Sequence, residues 1–217
     1  MPHCRLHYFP ESGNSYKLAL MLTLCGAPFE LVWTGFASGV TRTPEWRRAV
    51  NPMGEIPVLE IDGKPLTQTA PILLHLADHH ARYQGNNDHE NFEILRWLFC
   101  DNQKLSGFIA PYRFFRAFRP GMDPAVLAFR KARLEDFLNI LEQRVQQSPF
   151  IAAPHPTVAD LSMCSYLMFP SHEAGYDFPT SHPAIAAWLA RIAALPGGKA
   201  PYDKLPDQHM PCHTTPA

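Results

Sequence analysis

One short stretch of the chain combines two features that could bind a peptide and its carboxylate. Pro57 stands at the entrance of the apolar run Val58–Ile61, and proline is tolerated at the first position of a strand because its ring removes a backbone donor. A cis Ile56-Pro57 bond, which proline makes accessible, would leave the Ile56 amide and carbonyl free to pair with an extended peptide. Gln68 and Thr69 follow at the predicted N-terminus of a helix, whose free N–H groups bind a carboxylate.

The composition excludes several classes of partner. The chain has 217 residues, a net charge of −1 and a pI near 6.8, so it offers no basic surface for nucleic acid. No apolar run is long enough to span a bilayer, and no leader pattern is recognisable. The five cysteines lack metal-site spacing and are typical of reduced thiols. We therefore expect a soluble, unprocessed cytoplasmic protein without nucleic-acid or membrane partners.

The periodicity of the apolar residues changes near residue 82 and predicts two domains. Before this point short apolar runs alternate with helical stretches, as in a small mixed sheet with helices, and after it no strand is predicted. The segment 82–89 is polar and rich in turn residues, which is typical of a linker. We therefore place an α/β domain at residues 1–81 and an all-α domain at residues 89–217, ending in a tail that is wrapped or disordered.

Local sequence signals predict where the helices of the second domain begin and end. The helical region 91–118 is expected to break at Pro111, because proline interrupts the hydrogen-bond ladder. Asp123-Pro124 predicts a new helix, with aspartate as N-cap and proline at the first helical position. Thr157 and Asp160 have capping-box spacing before an apolar run, which indicates a helix buried at the centre of this domain.

The stretch Asn51-Pro52-Met53-Gly54-Glu55-Ile56-Pro57-Val58-Leu59 resembles the NPxGxIPxL motif of the glutathione transferases, and Gln68-Thr69 resembles the polar pair that follows it in that family. The resemblance extends along the chain, from the loop Ser12-Gly13-Asn14-Ser15 to Pro154–Met163. It implies a thioredoxin-like α/β N-terminal domain, an all-α C-terminal helical domain, a homodimer, and glutathione as cosubstrate without a metal. A thioredoxin-like fold that does not bind glutathione is the alternative, because the proline turn is shared across that fold.

The resemblance places the chemistry in the loop after the first strand. Glutathione reacts as a thiolate, so the enzyme must lower the pKa of its thiol with a donor at a helix N-terminus. Ser12 is the preferred donor, because S-G-N-S-x-K resembles the loop of serine-type transferases. Asn14 is a second donor by resemblance to a bacterial branch that acts on disulfides. Tyr8 resembles the catalytic residue of the tyrosine-type classes, although packing against the second domain is the preferred interpretation for it. Ser15 is expected to cap the helix.

The resemblance also assigns the other contacts with glutathione. Arg42 precedes Thr-Pro-Glu-Trp and should meet the glycine carboxylate, in preference to two neighbouring arginines. The Ile56-Pro57 backbone should contact the cysteinyl residue, and Gln68 and Thr69 should hold the γ-glutamyl end. Asp101 should either bind the γ-glutamyl ammonium, across a dimer in some classes, or be an exposed helix carboxylate.

The second substrate and the reaction are left open by the sequence. Aromatic and basic residues at 112–118 predict either a substrate pocket or ordinary core packing. His75 and His79 have i,i+4 spacing, but no further ligand pattern accompanies them and we expect no metal. Conjugation of the glutathione thiolate to a small electrophile is the preferred function. A glutathione-dependent disulfide reductase or peroxidase, and a non-catalytic binding module, are the alternatives.

Overall fold

A computed structural model of the chain describes residues 3–206 and 208–214. The N-terminal part is built on a four-stranded mixed sheet of order β2-β1-β3-β4. Its strands are β1 (Cys4–Tyr8), β2 (Phe29–Trp33), β3 (Val58–Ile61) and β4 (Lys64–Thr67). Strand β1 pairs parallel with β2 and antiparallel with β3, and β3 pairs antiparallel with β4. This sheet and its helices form the thioredoxin-like domain that the sequence predicts.

Local sequence explains the connections of the sheet. Parallel strands need a crossover, and helix α1 (Gly13–Leu24) supplies it between β1 and β2. The antiparallel pair β3 and β4 is joined instead by Asp62-Gly63, where both residues have positive φ, 49° and 77°. Aspartate and glycine tolerate this conformation, which a two-residue hairpin turn requires. The short helix α2 (Pro44–Ala49) precedes β3, and α3 (Thr69–His80) follows β4.

Helix α1 occupies the centre of the molecule. Ten of its twelve residues are buried, and its apolar residues belong to the same hydrophobic core as those of the sheet and the later helices. A helix that is apolar on all sides must be covered on all sides. The two parts of the chain therefore share α1 as a common layer.

The C-terminal part is helical, and the described residues after Thr67 contain no strand. Its helices are α4 (Asp88–Cys100), α5 (Ser106–Ala117), α6 (Pro124–Gln147), α7 (Val158–Met163), α8 (Ser171–Ala174), α9 (Phe178–Ser181), α10 (Pro183–Ala193) and α11 (Pro201–Lys204). A 3₁₀ turn, Ser165–Met168, follows α7. The predicted all-α domain is confirmed, and the division at residues 81 and 89 stays a prediction. Within the described ranges, no helix is both long and apolar enough to cross a bilayer.

The expected break at Pro111 is wrong. Pro111 lies inside α5, and the interruption comes earlier, where Asp101–Leu105 forms a π-helical turn between α4 and α5. Proline removes one backbone donor and its ring crowds the preceding turn, at a cost of about 3 kcal/mol. Burial of side chains such as Ile109 and Tyr112 on α5 offsets this local cost. Tertiary packing, which the local rule does not include, decides the course of this helix.

The described part of the tail is wrapped onto the protein. The Met210 backbone N–H donates to a Glu11 carboxylate oxygen at 2.7 Å, and the His213 backbone N–H donates to the Ala117 carbonyl at 2.8 Å. Residues 207 and 215–217 lie outside the described residues. The two contacts attach the described part of the tail to the loop after β1 and to the end of α5.

Asp160, at the start of α7, is fully buried and receives four hydrogen bonds. The donors are the backbone N–H groups of Ile151 and Thr157, each at 2.9 Å, the Thr157 hydroxyl at 3.0 Å, and Trp188 Nε1 at 2.9 Å. Burial raises the pKa of the Asp160 carboxyl, and the hydrogen bonds act in the opposite direction. The residue therefore does more than cap α7, since it joins the helix to the preceding loop and to α10.

We expect Asp160→Ala to lower the free energy of unfolding by about 3 kcal/mol, because several buried donors lose their acceptor together. Chemical denaturation measures the loss. Asp136→Ala is the matched control, since that side chain is 70% exposed and its removal should change stability by less than about 0.5 kcal/mol. Equal stability of the two variants would show that the network around Asp160 contributes nothing.

Candidate active site

A cavity of about 710 Å³ lies between the sheet domain and the helical domain. Seven of the nine residues proposed from the sequence line it. They are Ser12, Asn14, Arg42, Ile56, Pro57, Gln68 and Thr69. The fold thus brings together residues that are up to 57 positions apart in the chain, since the first is at position 12 and the last at position 69. Tyr8 and Asp101 are not among the lining residues.

Ser12 caps helix α1, and the expectation that Ser15 is the cap is wrong. The Ser15 backbone N–H donates to Ser12 Oγ at 3.0 Å, and Ser12 is only 3% exposed. Accepting this bond uses a lone pair and leaves the hydroxyl proton of Ser12 available to a ligand. The first turn of α1 contains no acidic residue, so the positive end of the helix dipole acts unopposed by its own side chains.

The segment before β3 is shaped by a buried asparagine. Asn51 is 2% exposed, and its Nδ2 donates to the Glu55 carbonyl at 2.9 Å while its Oδ1 accepts the Met53 backbone N–H at 3.1 Å. These bonds fold residues 51–55 into a tight turn. The Ile56-Pro57 bond that follows is cis, as the sequence predicts, and both of its residues lie on the cavity wall.

The N-terminus of α3 also opens on the cavity. Gln68 precedes the helix with φ 68°, a conformation that is unfavourable for a residue other than glycine and that recurs at ligand sites. Its Nε2 donates to Glu55 Oε2 at 3.0 Å, so its side chain reaches back to the segment before β3 and does not cap the helix. Backbone donors at the start of α3 are therefore left for a bound carboxylate.

Two arginines, Arg42 and Arg47, also line the cavity. Gly54 has φ 70°, and a Cβ atom there would meet the Thr41 carbonyl oxygen at 2.8 Å and Arg47 Nε at 2.9 Å. Glycine is therefore required for this close approach. Arg48 instead pairs with Glu45 on the surface, where both side chains are about three-quarters exposed, at 75% and 76%. Arg47 is therefore a second candidate, beside Arg42, for the residue that meets the glycine carboxylate of glutathione.

Tyr8 is placed in the interior. It is fully buried in β1, and its hydroxyl donates to the Pro206 carbonyl at 2.9 Å. The hydroxyl thus faces the segment after α11 and does not line the cavity. This placement agrees with packing against the second domain, the interpretation preferred from the sequence.

Asp101 is not an exposed carboxylate, and that expectation is wrong. It is 2% exposed, and its Oδ2 accepts from Lys17 Nζ at 2.7 Å. The hydroxyl of Ser106 donates to Oδ1 at 2.7 Å, and the hydroxyl of Ser162 donates to Oδ2. Lys17, on α1, is itself only 1% exposed. Asp101 therefore joins the helical domain to α1 through a buried ion pair, and its oxygens are occupied within the protein.

The helical domain contributes an aromatic wall that the sequence left undecided. Phe114, Phe115 and Phe118 line the cavity, and so does a stacked pair from the sheet domain, Phe9 and Phe36, whose ring centroids are 4.6 Å apart. Of the other three aromatic and basic residues in the group, Tyr112 is buried, Arg116 binds backbone carbonyls of residues 172 and 173, and Arg113 also lines the cavity. The group is thus divided between the cavity and the core.

Arg113 anchors this wall. It is 2% exposed and donates to the buried carboxylate of Glu173, to the Glu11 carbonyl at 2.6 Å and to the Tyr202 hydroxyl at 3.0 Å. Its guanidinium also lies over the ring of Phe169, with 3.7 Å between Cζ and the ring centroid. Because its charge is paired, Arg113 fixes the position of α5 beside the loop that follows β1.

Glu11 and Tyr166 are among the cavity residues that were not singled out from the sequence. Glu11 is 4% exposed, and burial is the main cause that raises the pKa of its carboxyl. Tyr166 comes from the 3₁₀ turn after α7, and burial likewise raises the pKa of its hydroxyl. The apolar run around Tyr166 predicts core packing, and only the fold reveals that its edge reaches the cavity.

The cysteines and histidines are the side chains that could bind a metal ion. All five cysteines are free thiols. Among the described residues, one group of three metal-type side chains is found, His172, Glu173 and Cys212, with ligand atoms within 4.8 Å of one another. Glu173 in that group already accepts from Arg113 and Tyr202, which compete with a cation for its oxygens.

Comparison with known proteins agrees with this geometry. The family model of the glutathione S-transferase N-terminal domain matches residues 12–79, and that of the C-terminal domain matches residues 118–200. The chain belongs to the glutathione S-transferase family. A solved glutathione S-transferase from Xanthobacter autotrophicus Py2 is 30% identical, has a TM-score of 0.83, and aligns over 93% of this chain and 98% of its own.

Two relatives with assigned names are more distant in sequence. Glutathione S-transferase F14 of Arabidopsis thaliana is 27% identical over 85% of this chain and 76% of its own length. The disulfide-bond oxidoreductase YfcG of Escherichia coli strain K12 is 23% identical over 87% of this chain and 90% of its own length. The chain is therefore similar both to a protein named a transferase and to one named a disulfide oxidoreductase.

The buried pair of Lys17 and Asp101 gives a test of how the two domains of this transferase-family chain are joined. We expect Lys17→Met to lower the free energy of unfolding by about 3–5 kcal/mol, because it leaves the Asp101 charge buried and unpaired. The double variant Lys17→Met/Asp101→Asn should recover much of this loss. Denaturant titration compares the two variants with Lys131→Met.

Lys131 provides the matched control, since it pairs with Glu135 on the surface and both side chains are about half exposed, at 48% and 45%. Its removal should cost less than about 1 kcal/mol. If Lys17→Met costs no more than Lys131→Met, the buried pair does not stabilise the contact between the domains.

Proposed function

We propose that the chain is a glutathione transferase that activates the thiol of glutathione at Ser12 and transfers the thiolate to a small electrophile. The observation that carries the proposal is that seven residues proposed from the sequence line one cavity with the N-termini of α1 and α3. Two arginines and the N-terminus of α3 lie on the wall of one cavity, and both kinds of group suit the carboxylates of an extended tripeptide. Glutathione has a carboxylate at each end.

The proposed binding mode pairs each polar group of glutathione with a residue that lines the cavity. Arg42, with Arg47, would bind the glycine carboxylate, and the backbone of Ile56 would pair with the cysteinyl residue. Gln68 and Thr69 would hold the γ-glutamyl carboxylate at the start of α3. In this pose the cysteinyl sulfur comes to the N-terminus of α1.

Ser12 would then stabilise the thiolate. Its hydroxyl donates a hydrogen bond to the sulfur, while the dipole of α1 favours the negative charge. Lowering the thiol pKa by about 2 units requires about 2.7 kcal/mol, which one charge-assisted hydrogen bond and the helix dipole supply together. The thiol proton passes to solvent, the sulfur attacks the electrophilic carbon, and a carbon–sulfur bond forms as the leaving group departs with its electron pair.

The aromatic wall indicates where the electrophile would bind. Two phenylalanines of the sheet domain, Phe9 and Phe36, offer apolar surface in the cavity that Ser12 lines. Three more come from the helical domain, Phe114, Phe115 and Phe118. A planar, apolar electrophile would bury its surface there. We therefore place the second substrate against α5.

Disulfide reduction is the second candidate. Asn14 shares the cavity with Ser12, in the pattern that resembles a disulfide-acting branch, and YfcG is named a disulfide-bond oxidoreductase. In this reaction the thiolate attacks one sulfur of a disulfide, a new sulfur–sulfur bond forms, and the released thiolate takes up a proton. The same activated thiol serves both reactions.

A cytoplasmic homodimer belongs to the proposal. Helix α4 exposes Phe92, Leu95 and Phe99 on one face, with exposed fractions of 64%, 42% and 75%. Residues at this spacing form a continuous apolar stripe on a helix, which a second copy of the chain would cover. Sedimentation of the purified chain as a species of twice its mass checks this assembly, and a monomer would contradict it.

The main prediction concerns the sulfur. We expect Ser12→Ala to raise the pKa of the bound glutathione thiol and to lower kcat by about ten- to a hundredfold, while glutathione affinity changes little because the other contacts remain. Tyr8→Phe should have a much smaller effect, since its hydroxyl faces Pro206. The dependence of kcat on pH, measured with a chloronitroaromatic substrate, compares the two variants. A larger effect of Tyr8→Phe than of Ser12→Ala would contradict the serine assignment.

A binding test and a pair of activity assays distinguish the transferase, the disulfide reductase and the non-catalytic binding module. Retention on a glutathione column is expected for a transferase and for a reductase, and failure to bind glutathione would contradict both. Parallel assays with the chloronitroaromatic and with hydroxyethyl disulfide then compare the two reactions. Binding without turnover of either substrate would favour the non-catalytic module.

A further inference from the structure

The ring of Tyr166 lies directly against the backbone at the start of α1. A Cβ atom at Gly13 would meet the Tyr166 ring carbons at 2.5 and 2.6 Å, so the ring and the glycine are in close contact. Ser12, Asn14 and Tyr166 line the same cavity, and Tyr166 is 7% exposed. A side chain from the helical domain therefore covers the residue that separates Ser12 from Asn14.

The hydroxyl of Tyr166 is near Ser12 and Asn14, beside the place proposed for the sulfur. Burial is the largest influence on the pKa of this hydroxyl and raises it above its ordinary value. The charge of Arg113, the Asn14 backbone N–H and the Ser12 side chain lower the pKa, while the charge of Asp101 raises it. Tyr166 is therefore protonated at neutral pH, and a protonated phenol can donate to a thiolate.

A second donor would complement Ser12. Ser12 Oγ already accepts the Ser15 backbone N–H, and a hydroxyl carries a single proton, so Ser12 supplies one hydrogen bond to a ligand. A thiolate sulfur has several lone pairs and can accept more than one. The hydroxyl of Tyr16, by contrast, donates to the Lys199 carbonyl at 2.7 Å. Of the tyrosines that the structure describes, Tyr166 is the one that lines the cavity.

We propose that Tyr166 is a second catalytic residue, which donates a hydrogen bond to the glutathione sulfur beside Ser12. This inference rests on the proposed function, since it requires glutathione in the cavity. The helical domain then takes part in activating the thiol as well as in binding the second substrate.

The test is Tyr166→Phe, which keeps the ring against Gly13 and removes only the oxygen. We expect the pKa of the bound thiol, followed by thiolate absorbance, to rise by about one unit. The rate constant kcat at neutral pH should fall about three- to tenfold, because the smaller thiolate fraction is partly offset by greater nucleophilicity. Affinity for S-methylglutathione should not change, since this analogue forms no thiolate.

Tyr176→Phe is the matched control. Its hydroxyl is buried and has no hydrogen-bond partner within the described ranges, and it does not line the cavity, so the thiol pKa should stay unchanged. An unchanged pKa in Tyr166→Phe would overturn the inference, and so would equal losses of affinity for glutathione and S-methylglutathione, which indicate a packing role.

The outcomes also separate this inference from the proposed function. If Ser12→Ala raises the thiol pKa and Tyr166→Phe does not, Tyr166 is not a donor and the proposed function stands. If Tyr166→Phe raises it and Ser12→Ala does not, Tyr166 is the donor and the serine assignment fails. If the native chain binds no glutathione, both proposals are overturned.

Discussion

The position of the site depends on one constraint, the burial of α1 between the sheet and the helical domain. An enclosed helix must have apolar side chains along most of its length, yet α1 contains a lysine, Lys17, and has a serine, Ser12, at its N-cap. The lysine is tolerated because Asp101 pairs with it, and the serine because it caps the helix. With α1 fixed from both sides, its first turn is held at the base of the cavity. The proposed chemistry takes place at the N-terminus of α1, where Ser12 lines the cavity.

The helical domain does more than cover the sheet. Its ion pair of Arg113 and Glu173 reaches the loop after β1 through the Glu11 carbonyl, and the tail reaches the Glu11 carboxylate through Met210. The loop that carries Ser12 is therefore held by α1 and by two segments of the helical domain. Rigid support of this kind limits the movement of a catalytic hydroxyl, which favours a preorganised site.

Local signals were sufficient for much of the fold and for one side of the cavity. The proline at the start of β3, the Asp62-Gly63 turn and the Asp160 cap each have a short-range physical cause, so the sequence predicts them. The residues that were misplaced or missed depend on distant partners. Asp101 is buried because Lys17 lies 84 positions away in the chain and beside it in space. Tyr166 lies in an apolar run, which predicts a core residue. Its place at the site depends on the packing of its turn against Gly13, which is distant in the chain.

The central claim is that the cavity binds glutathione with its sulfur at the N-terminus of α1. A crystal structure of the chain with glutathione tests it most directly. The account predicts the sulfur within hydrogen-bonding distance of Ser12 Oγ, the cysteinyl backbone paired with Ile56, and the γ-glutamyl carboxylate at Gln68 and Thr69. An empty cavity at saturating glutathione, or a tripeptide whose sulfur points away from α1, would contradict it.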